Sequence, residues 1–164
     1  MKIILNIFAI LLISIPSSAF ELPEGYRYPI ESDMIGGWIN SGKEVSKPYH
    51  VNSDLDGNGE IDQAWILLKY KEQGWGLFVL LNGKRLIELD SSKESYPQNM
   101  GISVLAVGNH KTACGKGYWA CKPGEPEILE LKNPGLLYFA FESAASVFYW
   151  DRKNEKFLRT WLSD

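Results

Sequence analysis

The sequence predicts a single, mainly β domain: an antiparallel β-meander or sandwich-like fold with one short helix near its start. Three observations carry that expectation. From residue 62 onward, short apolar runs rich in Val, Ile, Leu, Phe, Tyr and Trp recur between small or polar connectors, and helical periodicity is absent. Asn82-Gly83 separates two such runs, and both residues tolerate the positive φ that a type I′ hairpin turn requires. The composition of the 164 residues (45% hydrophobic, 13% aromatic, 23% charged) belongs to one globular domain, neither disordered nor a repeat array.

The first element is an address. Lys2 is the only charge among residues 1–19; it precedes the apolar run Ile3 to Ile15, which is followed by Pro16, Ser17, Ser18 and Ala19. A cationic start, a short apolar stretch and small residues at positions one and three before a cut describe a secretory signal peptide, with the mature chain starting at Phe20. The run is shorter than the ~20 residues a bilayer span requires, and no cysteine follows the cut to take a lipid. The expectation is a periplasmic or secreted protein with no stable membrane insertion after cleavage. Residues 20–164 form its single domain, large enough to bury a core of its own. Without the leader, 16 basic face 20 acidic side chains, a net charge of -4. That balance argues against nucleic-acid binding by bulk charge, which needs a cationic excess.

Residues 20–28 read as irregular. Ile30, Met34, Ile35 and Trp38 fall near helical spacing, but Gly36 and Gly37 limit the helix to a short piece. Strands are expected at 62–70, 75–81 and, after the Asn82-Gly83 turn, 85–87. Another is expected at 102–107, then a loop of about twenty residues to Pro126. Strands at 128–131, 136–142, 146–150 and 157–162 follow, the last three joined closely enough for an antiparallel meander.

The segment Asp54-Leu55-Asp56-Gly57-Asn58-Gly59-Glu60-Ile61-Asp62 is the most informative. Oxygen-bearing side chains occupy positions one, three, five and nine. Calcium takes six to eight oxygens at about 2.3–2.6 Å. A short loop can aim alternate side chains inward only if it turns sharply, which Gly59 permits. Glu60 would contribute its backbone carbonyl, Asp62 the closing carboxylate, and Ile61 would pin the loop to the core. At an effective dielectric near 20, each pair of carboxylates about 4 Å apart repels by roughly 4 kcal/mol. A divalent cation removes that cost.

This loop resembles the Asp-x-Asp-x-Asn-Gly-x-x-Asp calcium loops of FG-GAP and VCBS-type β repeats, found in integrin-like propellers and secreted bacterial proteins. The resemblance implies calcium held by the side chains of Asp54, Asp56, Asn58 and Asp62 and by the Glu60 carbonyl. The loop also overlaps the start of an EF-hand, but position twelve is Trp65 where that family has a bidentate Glu, and a strand follows rather than a helix. A propeller needs several blades and this chain has one such loop, so the propeller fold is not implied. The overall layout resembles small uncharacterised secreted bacterial proteins, a likeness that implies no activity.

Cys114 and Cys121, with six residues between them, are expected to form a disulfide in an oxidising compartment. The closed tip carries Lys116, Tyr118 and Trp119, a cation and two aromatics of the kind that anchor interfaces. A zinc site at His110, Cys114 and Cys121 lacks a fourth ligand. A Cys114 nucleophile assisted by His110 conflicts with the same oxidising context. Folding of Tyr118 and Trp119 back onto the core is the competing structural reading.

Two classes of function follow. The first is an exported, non-catalytic β domain with one structural calcium, recognising a protein or glycan of the cell envelope through the disulfide-closed loop, as inhibitor and immunity-type proteins do. The second is an envelope-polymer hydrolase using a carboxylate pair drawn from Glu127, Glu130, Glu142 and Asp151. No Gly-x-Ser-x-Gly elbow or phosphate-cradling loop supports another enzyme class.

Overall fold

The computed structural model describes residues 21–40, 47–71 and 73–164. The expected signal peptide, residues 1–19, lies outside the described residues. The chain is mainly β, as expected, and every strand pair is antiparallel. No helix among the described residues is long and apolar enough to cross a membrane.

The first sheet contains β1 (Tyr26–Arg27), β2 (His50–Ser53), β3 (Asp62–Lys69), β4 (Trp75–Leu81) and β5 (Arg85–Ser92). Its order is β1-β3-β4-β5, with β2 also paired to β3. All seven residues of β4 are buried, because this central strand is covered on both faces. Its turn into β5 is the expected one: Asn82 and Gly83 have φ of 53° and 66°, and the Lys84 amide donates to the Leu81 carbonyl at 2.9 Å. Strand β5 continues past Ile87 to Ser92.

The second sheet has the order β11-β10-β9-β6, formed by β6 (Met100–Leu105), β9 (Gly135–Ala140), β10 (Ala145–Asp151) and β11 (Lys156–Ser163). Its last three strands are the expected meander. The two sheets face one another across the core. Ala64, Ile66, Leu68, Leu77, Val79 and Leu81 of the first sheet meet Ile102, Leu136, Tyr138 and Phe148 of the second. Such alternation along each strand is what makes the period-two pattern legible. Between the outer strands of the two sheets, Arg159 of β11 pairs with Asp90 of β5 at 3.0 Å.

A third layer corrects the expected twenty-residue loop. Its first residues form β7 (Gly108–Lys111), which pairs with β8 (Ile128–Leu131) as a separate hairpin. Leu129 and Leu131 pack with Val147 and Leu162 on the outer face of the second sheet. The irregular segment is thus the long tip of a hairpin, residues 112–127. The short helix is also smaller than its apolar spacing suggests: a 3-10 turn at Glu31–Asp33 and a single α turn, α1 (Gly37–Asn40). Trp38 anchors α1, buried with its indole N–H donating to the Met100 carbonyl at 2.7 Å. Arg27 fixes the preceding turn by a two-pronged bond to Asp33, at 2.6 and 2.8 Å.

Candidate metal centre and disulfide loop

The acidic loop connects β2 to β3. Ser53 pairs with Asp62, so residues 54–61 leave and re-enter the sheet at one rung. That closure brings one carboxylate oxygen from each of Asp54, Asp56 and Asp62 within 4.8 Å of one another. The loop's own amides aim these side chains. Asp54 accepts from Asn58 N at 3.0 Å and Gly59 N at 2.9 Å. Asp56 accepts from Asn58 N at 3.1 Å and from Asn58 Nδ2 at 3.0 Å. Asn58 Oδ1 accepts from the Glu60 amide at 2.7 Å. Gly59, with φ of 91°, makes the sharp turn in the left-handed region that other residues seldom adopt.

Asp62 is the inner wall. It is fully buried, and its oxygens accept from Leu55 N at 2.9 Å, Asp56 N at 3.4 Å and Asn82 N at 3.0 Å. Burial pushes its carboxyl above the usual carboxylate range, and the charge of Asp56 acts in the same direction against the pull of those amides. Among the described residues, no lysine or arginine forms an ion pair with Asp54, Asp56 or Asp62; the ion pairs lie elsewhere, at Arg27–Asp33 and Arg159–Asp90.

The donor set fits a hard divalent ion. Two oxygens on opposite sides of one calcium stand about 5 Å apart, twice the metal–oxygen distance. The 4.8 Å separation lies within that limit. All donors are oxygens, which suit calcium rather than softer metals. Glu60 is exposed and its side chain is not part of the converging cluster of Asp54, Asp56 and Asp62.

The expected role of Ile61 is overturned. Ile61 is 64% exposed, whereas Leu55 is fully buried in the main core. Asp62 opens β3 facing inward, so alternation sends Ile61 outward, and the apolar pin falls on position two instead. Three partners were not legible at all. Asn82 Oδ1 accepts from Asn58 Nδ2 at 2.8 Å, Asn133 Nδ2 donates to the Asp56 carbonyl at 3.2 Å, and the Arg152 guanidinium donates to the Gly57 carbonyl. These contacts tie the loop to the β4–β5 turn and to the second sheet. Beside it lies an open cleft of about 690 Å³ lined by Asp56, Asn58, Arg85, Trp150 and Arg152, among others.

The cysteine loop is the tip of the β7–β8 hairpin. Cys114 and Cys121 are joined by a disulfide, with Cα atoms 4.9 Å apart. Both thiols are therefore taken, and His110 Nε2 bonds the Ala106 carbonyl at 2.8 Å, which removes the zinc and nucleophile readings. Thr112 is buried at the base; its hydroxyl donates to the Pro126 carbonyl at 2.7 Å and accepts from Gly115 N at 3.1 Å.

The three expected contact residues part company here. Tyr118 is 54% exposed. Trp119 is half-buried, with its indole N–H on Glu125 at 3.3 Å. The Lys116 ammonium donates to the Leu162 carbonyl at 2.8 Å, which fastens the tip to β11.

Of the carboxylates considered for hydrolysis, Glu130 and Asp151 line one cleft of about 830 Å³, and Glu127 and Glu142 do not line it. The hydrogen bond from Asn154 holds the Asp151 carboxyl below its ordinary range. A general acid needs the opposite shift. Searches against protein-family models, curated proteins and solved structures find no match to this chain.

Proposed function

We propose that this chain is an exported, non-catalytic β module. It binds one calcium ion at Asp54, Asp56, Asn58, Glu60 and Asp62 and recognises a protein of the cell envelope through its disulfide-closed loop. The observation that carries the reading is the convergence of three carboxylates, one fully buried, with no lysine or arginine among the described residues ion-paired to them. Bound calcium would neutralise this charge and supply structure rather than chemistry. Because the loop touches both the β4–β5 turn and the second sheet, ordering it braces the two sheets against each other.

The disulfide supports an oxidising compartment. It also supports recognition, since a loop already ordered loses less entropy on binding. Within this class, an inhibitor or immunity-type partner of an envelope hydrolase suits a small rigid module. The test is thermal melting of residues 20–164 in calcium and in chelator. At calcium one hundred times the Kd, stabilisation is about 2.7 kcal/mol, a rise of roughly 8 °C for a domain this size. Asp56→Ala should abolish the calcium-dependent part of the shift. Equal losses with and without calcium would contradict the metal role.

A further inference from the structure

We propose that the free edge of β11 is a strand-addition site for an extended peptide segment of the partner. This proposal rests on the recognition reading above and names its mode. Strand β11 is the outer strand of its sheet. The Trp161 carbonyl accepts from the Ala113 amide at 2.8 Å, so the backbone of residue 161 faces away from β10. Backbone groups on alternate residues of a strand point the same way. The N–H and C=O of Arg159 and Phe157 therefore also face outward, and among the described residues they have no backbone partner there. These groups recur about every 6.8 Å, the two-residue repeat of a strand.

The other sheet's outer strand is protected differently. The pairing of β5 with β4 carries a β-bulge, and β5 bears Arg85, Glu88 and Asp90. Bulges and charges are common means of blunting an edge. The pairing of β11 also shifts register, between Ala145 and Ser146, and the strand bears Lys156 and Arg159, but its register is continuous from Lys156 to Trp161. A groove of about 560 Å³ lies between the strand and the disulfide loop, lined by residues 158–161 of β11, Tyr149 of β10, Trp119 and residues 122–126.

The groove's chemistry selects a peptide. Outward N–H and C=O groups at strand spacing are matched by another backbone, and the Trp161 carbonyl of this edge already accepts one backbone donor, the Ala113 amide. Trp119, Pro123 and Pro126 offer an apolar wall for one side chain of the incoming segment. The disulfide acts as the brace for this wall, and Lys116 fastens it to β11.

A random decapeptide library selected against the immobilised protein in calcium provides the probe. Enriched peptides should bind with micromolar Kd. They should slow hydrogen exchange of the Arg159 and Phe157 amides at least ten-fold, while those amides exchange rapidly in the free protein. Arg159→Pro should weaken binding at least ten-fold and Arg159→Ala less than three-fold, since the alanine keeps the N–H. Proline is tolerated at an edge position whose N–H serves no internal bond, and the exchange measurement on unaltered protein does not depend on either variant.

Peptides lost on Tyr118→Ala but indifferent to Arg159→Pro would overturn strand addition while leaving loop recognition intact. Protection of the edge amides by chitohexaose, or by self-association in the peptide-free protein, would also overturn it, as would the absence of any enriched peptide. Failure of calcium to raise the melting temperature would count against the metal reading and leave this groove untouched.

Discussion

The two irregular loops that carry the functional reading are ordered by different physics. Residues 54–61 are shaped by hydrogen bonds from backbone amides to three carboxylates whose mutual repulsion opposes the same shape. Residues 112–127 are shaped by a covalent link and by Thr112, with little charge to overcome. On the proposed reading, the first loop would respond to a cation, and the second is held by its disulfide. One loop thus links the sheets through polar contacts that a bound ion would reinforce, and the other is closed covalently beside β11. The comparison teaches that a polar loop can be ordered without a core of its own if either charge or chain entropy is managed locally.

Substitutions in the two loops can break this comparison. Leu55→Ala should cost the most, about 3 kcal/mol in chemical denaturation, because Leu55 fills the core beneath the acidic loop. Ile61→Ala, at an exposed position, should stay within about 0.5 kcal/mol. Similar losses from the two would show that the loop is not pinned at position two. Replacing both Cys114 and Cys121 with alanine should cost about 2–3 kcal/mol, equally in calcium and chelator. If the loss differed between those conditions, the two loops would be coupled rather than independent.

A smaller effect serves as a reference outside both loops. The bond from Arg27 holds Asp33 below its ordinary carboxylate range. A depressed folded-state pKa contributes stability above the unfolded value, and that contribution is lost as pH falls through the folded value. Asp33→Asn should therefore cost about 1 kcal/mol at pH 7, the range of a part-buried two-pronged pair. The gap between the proteins should shrink as pH drops below about 3.9. A gap that persists in strong acid would point to packing instead of charge.

The sheets were readable because apolar alternation and turn chemistry are local. Asn82-Gly83 announced its hairpin through the positive φ it adopts, and the β9–β11 meander followed from short connectors. Strands β2 and β7 were not readable: His-Val-Asn-Ser and Gly-Asn-His-Lys have too little apolar content, and pairing with β3 and β8 makes them strands. The candidate ligands were visible as a spacing, since a short loop forces them together. Asn133 and Arg152, which hold the same loop, come from 77 and 95 residues away and leave no local signal. Ile61 misled because its apolar character suggested burial, whereas the inward start of β3 at Asp62 decides the phase.

Isothermal titration of calcium into the metal-free mature protein tests the central claim most directly. The account predicts one ion per chain, with binding lost in Asp54→Ala and Asp56→Ala but preserved in Tyr118→Ala. No binding heat, or a stoichiometry and affinity unchanged by Asp54→Ala and Asp56→Ala, would contradict it.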